Sequence, residues 1–144
     1  MSPGTTARRR AREVAFRVAY QADVAGDAYP FAWSLRREQE ASLTADQLEL
    51  IDTLVSALES RGAEIDAELQ TSVEGRWPMA RLAATDRAVL RVATAELMTR
   101  AGSPARVVLD EAIEIARTYG SEESGGFVNG VLDRTARRLR PAEF

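Results

Sequence analysis

Four arginines in five residues, Arg8-Arg9-Arg10-Ala11-Arg12, form the densest charge in the sequence. Each guanidinium is a planar fork of donors shaped for phosphate. On a helix the four would spread over more than half the circumference and repel one another, with only Glu13, four residues after Arg9, to offset them. A basic first turn also opposes the helix dipole. Phosphates placed among them relieve both costs, so the run points to single-stranded nucleic acid; the plainer alternative is a solvated helix terminus. For a polyanion to be the partner, these side chains must be free of internal carboxylate pairs and must face the same way as Tyr20 and Phe127. Tyr20, two to three turns further along, can stack a base or close the margin of a core. Phe127, taken by itself, is a core residue.

Other chemistries lack their parts. The chain has no His and no Cys, which removes the imidazole base, the thiolate nucleophile and the ordinary zinc site. Asp110 and Glu114 share a helical face beside Glu111, but the carboxylate helix-bundle metal site also needs His, so these acids are expected to be a solvated face. Ser103 and Ser121 are expected to cap helices and have no base beside them. Gly125-Gly126 lacks the strand and spacing of a phosphate loop. No catalytic group, metal or cofactor is therefore expected.

The chain must position its arginines with helices alone. Its 144 residues suit one domain, 45% of them are apolar, and no run is long enough to span a membrane. The absence of cysteine fits a reducing cytoplasm. All 19 basic residues are Arg, and a net charge of −3 conceals two poles. The first 20 residues hold five Arg and one Glu, whereas Glu38 to Glu74 holds ten acids and one base, Arg61. Arg134, Arg137, Arg138 and Arg140 make a second basic cluster.

Periodicity predicts an all-α chain. A first helix starts near Thr5 or Thr6 as cap, runs with one apolar stripe through Ala11, Val14, Ala15, Val18, Ala22 and Ala25, and stops at Gly26. Pro30 opens a short helix to about Arg37, and Thr44 to Gln47 reads as a capping box. Ile51 to Val73 keeps one apolar face, in which Gly62 either breaks the helix or lets a neighbour approach. A turn at Gly75 to Pro78 would divide an N-terminal helical subdomain, about 5–75, from a C-terminal one, about 76–140. Beyond it a helix ends at Gly102, Ser103-Pro104 opens another that stops at Gly120, and a last runs from about Glu123 to Leu139.

These features coincide with a known pattern. Arg8 to Glu13 followed by Tyr20-Gln21, then Asp110-Glu111-Ala112-Ile113-Glu114, Ala116, Tyr119-Gly120, Glu122, Ser124 and Phe127-Val128-Asn129-Gly130-Val131-Leu132-Asp133, resembles the NusB family of bacterial transcription antitermination factors. Val89-Leu90-Arg91 and Glu96-Leu97 fit between, while residues 27–80 match in helical character only. The resemblance implies one compact bundle of about six or seven helices in two subdomains, and a protein that is a monomer or homodimer. It implies binding to the boxA element of ribosomal RNA leaders together with NusE, a small-subunit ribosomal protein, and assembly of an antitermination complex on RNA polymerase. By position it assigns RNA phosphates to Arg8, Arg9, Arg10 and Arg12, bases or sugars to Tyr20 and Phe127, moderation of RNA affinity to Glu123, and NusE to Asp86. Gly125-Gly126 departs from the family, which often has a basic residue before the aromatic, and so implies weaker RNA affinity without NusE.

Two rivals remain at this level. The RNA-binding module of a ribosomal RNA methyltransferase shares this helical fold but requires a cofactor domain beyond Phe144. A pure protein-interaction bundle would instead work through the acidic 38–74 region.

Overall fold

The computed structural model describes residues 3–73, 78–99 and 102–144, with side chains from residue 7 onward. Among the described residues the chain forms seven α-helices and no strand: α1 (Pro3–Ala25), α2 (Tyr29–Gln39), α3 (Ala45–Ser60), α4 (Gly62–Ser72), α5 (Ala84–Thr99), α6 (Ala105–Tyr119) and α7 (Ser124–Leu139). Short 3₁₀ turns follow at Met79–Arg81 and Pro141–Glu143.

α5 is the axis. From Ala88 to Leu97 every residue except Arg91 is buried, because α1, α3, α4, α6 and α7 all pack on it. A helix covered on nearly every side needs apolar residues nearly all round, and Val89, Leu90, Val92, Ala93 and Leu97 supply them. α1 buries one face through Ala11, Val14, Ala15, Val18, Ala19 and Ala22, small residues that let it lie close to α3 and α5. One continuous core runs from Ala11 in α1 to Ala136 in α7.

Most of the sequence punctuation appears as expected. Gly26 takes φ +75°, a left-handed stop that costs a side chain dearly. At α3 the capping box is complete: the Gln47 N–H donates to the Thr44 hydroxyl at 3.2 Å and the Thr44 N–H donates to the Gln47 side chain at 2.8 Å. Gly62 breaks the helix, with Arg61 as the joint, and no neighbour approaches it closely. The turn expected from Gly75 to Pro78 lies, except for Pro78, outside the described residues.

Three expectations change. α1 is already helical at Pro3, so Thr5 and Thr6 fall within its first turn and do not precede it. The α6 cap differs too: Pro104 stands at the N-cap, and the Ser103 hydroxyl instead accepts from Arg12 at 2.8 Å. The free N–H of Ala105 is satisfied from far along the chain, donating to the Glu143 carboxylate at 2.7 Å. Ser121 likewise caps no helix; its N–H donates to the Ser124 hydroxyl at 2.9 Å.

Three of the C-terminal arginines, Arg134, Arg138 and Arg140, serve helix ends. Arg140 is buried and donates to Leu97 O, Glu96 O and Ser103 O at 3.0, 3.1 and 2.6 Å, closing the end of α5. Arg134 and Arg138 do the same for α4, donating to Ser72 O at 2.7 Å and Glu68 O at 2.8 Å. Cations at helix C-termini satisfy orphan carbonyls and interact favourably with the negative end of the macrodipole.

Candidate nucleic-acid interface

The side chains of α1 divide between two faces at about 100° per residue. Arg12 stands three residues before Ala15 and seven before Ala19, both buried, and so shares their inward face. Its guanidinium makes a two-pronged pair with Glu96 of α5, both contacts 2.8 Å, and its side chain is only 4% exposed. This corrects the expectation that Arg12 meets RNA: a phosphate cannot reach a group enclosed by α5 and Ser103.

The other three arginines are also engaged inside the molecule. Arg9 makes a two-pronged pair with Glu111 of α6 at 2.6 and 3.1 Å. Hydrogen bonding to Glu111 raises its pKa, so the cation is fixed at any working pH. Arg10 reaches Glu40 at 3.3 Å and Ala41 O at 3.1 Å, yet remains half exposed. Glu40 also faces Arg36 at 3.8 Å, so its charge is shared. Arg8 is exposed and touches the Ser103 hydroxyl at 3.4 Å. The premise that only a polyanion could relieve the crowded guanidiniums therefore fails. Glu40, Glu96 and Glu111 relieve it internally and in doing so fasten α1 to α2, α5 and α6.

What faces solvent on α1 is a different line of residues. Arg10, Glu13, Arg17, Tyr20 and Val24 recur at spacings of three and four along the outer face. Arg17 and Tyr20 are exposed, and with Phe16 and Tyr119 they line a cleft of about 450 Å³ that reaches Thr85 at the start of α5. Phe16 packs between the two tyrosines, its ring centroid 6.3 Å from Tyr20 and 5.0 Å from Tyr119. The Arg17 guanidinium lies 5.1 Å from the Tyr119 ring centroid and donates to the Tyr119 hydroxyl at 2.9 Å. An exposed cation and an exposed ring on one helical face, Arg17 and Tyr20, offer phosphate pairing and base stacking side by side.

None of the remaining sequence-derived residues lines this cleft. Asp86 follows Thr85 in the first turn of α5, and its Oδ1 is buried without a hydrogen-bond partner. Phe127 is half-buried against the core and makes no ring contact with Tyr20; Tyr119 occupies the place beside Phe16. Glu123 is exposed just before α7 and accepts from the Ser121 hydroxyl at 3.1 Å. Among the expected acidic surface residues, Asp110 and Glu114 are exposed, but Glu111 is buried as the partner of Arg9.

Sequence reading missed Arg17 and Tyr119 as surface partners. Arg17 was visible in principle, seven residues after Arg10 and three before Tyr20 on one helical face. Tyr119 ends α6 and meets α1 only through tertiary packing, so no local pattern marks it.

The sequence model of the NusB family matches residues 9–137. The transcription antitermination protein NusB of Anaeromyxobacter dehalogenans is 40% identical over 138 residues, covering 96% of each chain. A structure of T. maritima NusB superposes with TM-score 0.86 at 33% identity, over 95% of this chain and 96% of that one. A crystal structure of the antitermination factors NusB and NusE in complex with double-stranded RNA superposes with TM-score 0.77 at 27% identity, over 92% and 98% of the two chains.

Proposed function

The chain belongs to the NusB family, and on that premise we propose that it is a non-enzymatic RNA-binding adaptor in transcription antitermination. It acts in the cytoplasm, binds boxA-type RNA with NusE and helps assemble the antitermination complex on RNA polymerase. The observation that carries this reading at the level of residues is the outer face of α1, where Arg10, Arg17 and Tyr20 align beside Tyr119.

Arg8, Arg10 and Arg17 take phosphates, because their guanidiniums lie at the surface. Arg9 supports them from its pair with Glu111. Tyr20 stacks a base, Phe127 extends the apolar rim on α7, and Glu123 adds a negative charge that moderates affinity. Base stacking supplies any sequence preference, since phosphate contacts position the strand without reading it. Asp86, in the first turn of α5, faces NusE. In this arrangement RNA crosses between an N-terminal subdomain, about 5–75, and a C-terminal one, about 76–140.

The test is retention of boxA-like and scrambled RNA, with and without NusE, by the protein and by Tyr20→Ala. Preference for the boxA-like strand, strengthened by NusE and weakened in the variant, is expected. Equal retention of both strands under all conditions would refute the reading.

A further inference from the structure

Glu13 is the one carboxylate on the solvent-facing line of α1, between Arg10 and Arg17. Its spacing invites an ion pair with Arg17, four residues on, in the favourable order of acid before base. That pair is not formed. The Tyr119 hydroxyl stands between them, donating to Glu13 Oε2 at 2.9 Å and accepting from Arg17 Nη2 at 2.9 Å. From this geometry we infer that Tyr119 is a positioning residue for RNA: its hydroxyl keeps Arg17 off Glu13 and presents the guanidinium to the strand.

Two features hold Tyr119 where this requires. Its ring lies against Phe16, with centroids 5.0 Å apart, while the Arg17 guanidinium sits 5.1 Å from the same centroid. The backbone that follows is closely packed: a Cβ at Gly120 would come within 2.7 Å of Ala116 O and would strike the Ser124 side chain. The end of α6 thus packs closely against the start of α7, and only a residue without a side chain fits directly after Tyr119. By donating to Glu13 it also lowers the repulsion this carboxylate exerts on a passing phosphate. Without the hydroxyl, Glu13 becomes a free acceptor one turn from Arg17 and competes with RNA for the cation.

The inference rests on the RNA-binding reading, and four variants separate the two. A short single-stranded RNA oligonucleotide is titrated against Tyr119→Phe, Glu13→Gln, the double variant and Arg17→Ala, with thermal unfolding as a check on folding. Loss of Arg17 should weaken binding about fivefold at roughly 0.1 M salt, the effect of one phosphate contact. Tyr119→Phe, which keeps the ring, should weaken it about two- to fivefold and make the salt slope shallower, as capture of Arg17 by Glu13 requires. Adding Glu13→Gln should restore wild-type binding, because an uncharged neighbour no longer captures the guanidinium. If Arg17→Ala weakens binding but Tyr119→Phe does not, or if Glu13→Gln fails to rescue it, the positioning role is overturned while the interface stands. If Arg17→Ala has no effect, both the role and this face of the interface are wrong.

Discussion

Replacing Arg12 by Ala should destabilise the protein more than any other change in the basic run of α1. The Arg12 and Glu96 side chains are 4% and 1% exposed and are joined by two contacts of 2.8 Å. Removing one member leaves the other charge buried without its counter-ion, which costs about 3–5 kcal/mol. That is a large share of the roughly 5–15 kcal/mol that holds a typical domain together. For a chain near 150 residues it corresponds to a fall in Tm of roughly 6–20 °C. Replacing the pair together, as Arg12→Met with Glu96→Leu, removes both charges at once and should recover most of the loss. Urea unfolding of the single and double variants measures the difference, and RNA retention is followed in the same samples. The double variant should bind RNA as the parent does, because neither side chain reaches the surface. A single variant of parental stability, or a stable double variant that has lost RNA, would refute the assignment of Arg12 to the core.

The glycines divide by backbone geometry. Gly62→Ala should stabilise by about 0.4–1 kcal/mol, since its Cβ meets nothing and its backbone is ordinary, whereas Gly26→Ala at φ +75° should cost about 1–2 kcal/mol; paired denaturation curves read both. Burial raises the pKa of the Tyr29 phenol above its ordinary 10.0, so the folded state holds its proton more tightly than the unfolded chain. This contribution is fully present below about pH 10 and is lost as pH climbs through the raised value, so Tyr29→Phe should flatten the alkaline fall in stability measured from about pH 9 to 11.5.

Helix number and much of the punctuation were legible because they rest on local chemistry. The stripe of Ala11 to Ala22, the Thr44–Gln47 box and the left-handed Gly26 and Gly102 act within a few residues of themselves. The direction of Arg12 was also legible in principle, since its spacing to Ala15 and Ala19 puts it on the buried face. Taken as one charge, the run of four hides the fact that one member has to point inward. Other features depend on remote partners. The cap of α6 comes from Glu143, 38 residues beyond Ala105. The platform beside Tyr20 is completed by Tyr119, which reaches Glu13 across 106 residues. No spacing rule within a helix reports such contacts. The family pattern from Asp110 to Asp133 pointed to the region without showing which aromatic would sit beside Phe16.

The salt dependence of RNA binding bears most directly on the surface arginines. With Arg8, Arg10 and Arg17 each neutralising one phosphate, log K should fall against log salt with a slope of about −2, at roughly −0.7 per contact on a single strand. Removing Arg10 and Arg17 together should bring that slope to about −0.7 while the protein remains folded. A slope near zero in the parent protein, or one unchanged in the double variant, would contradict the account.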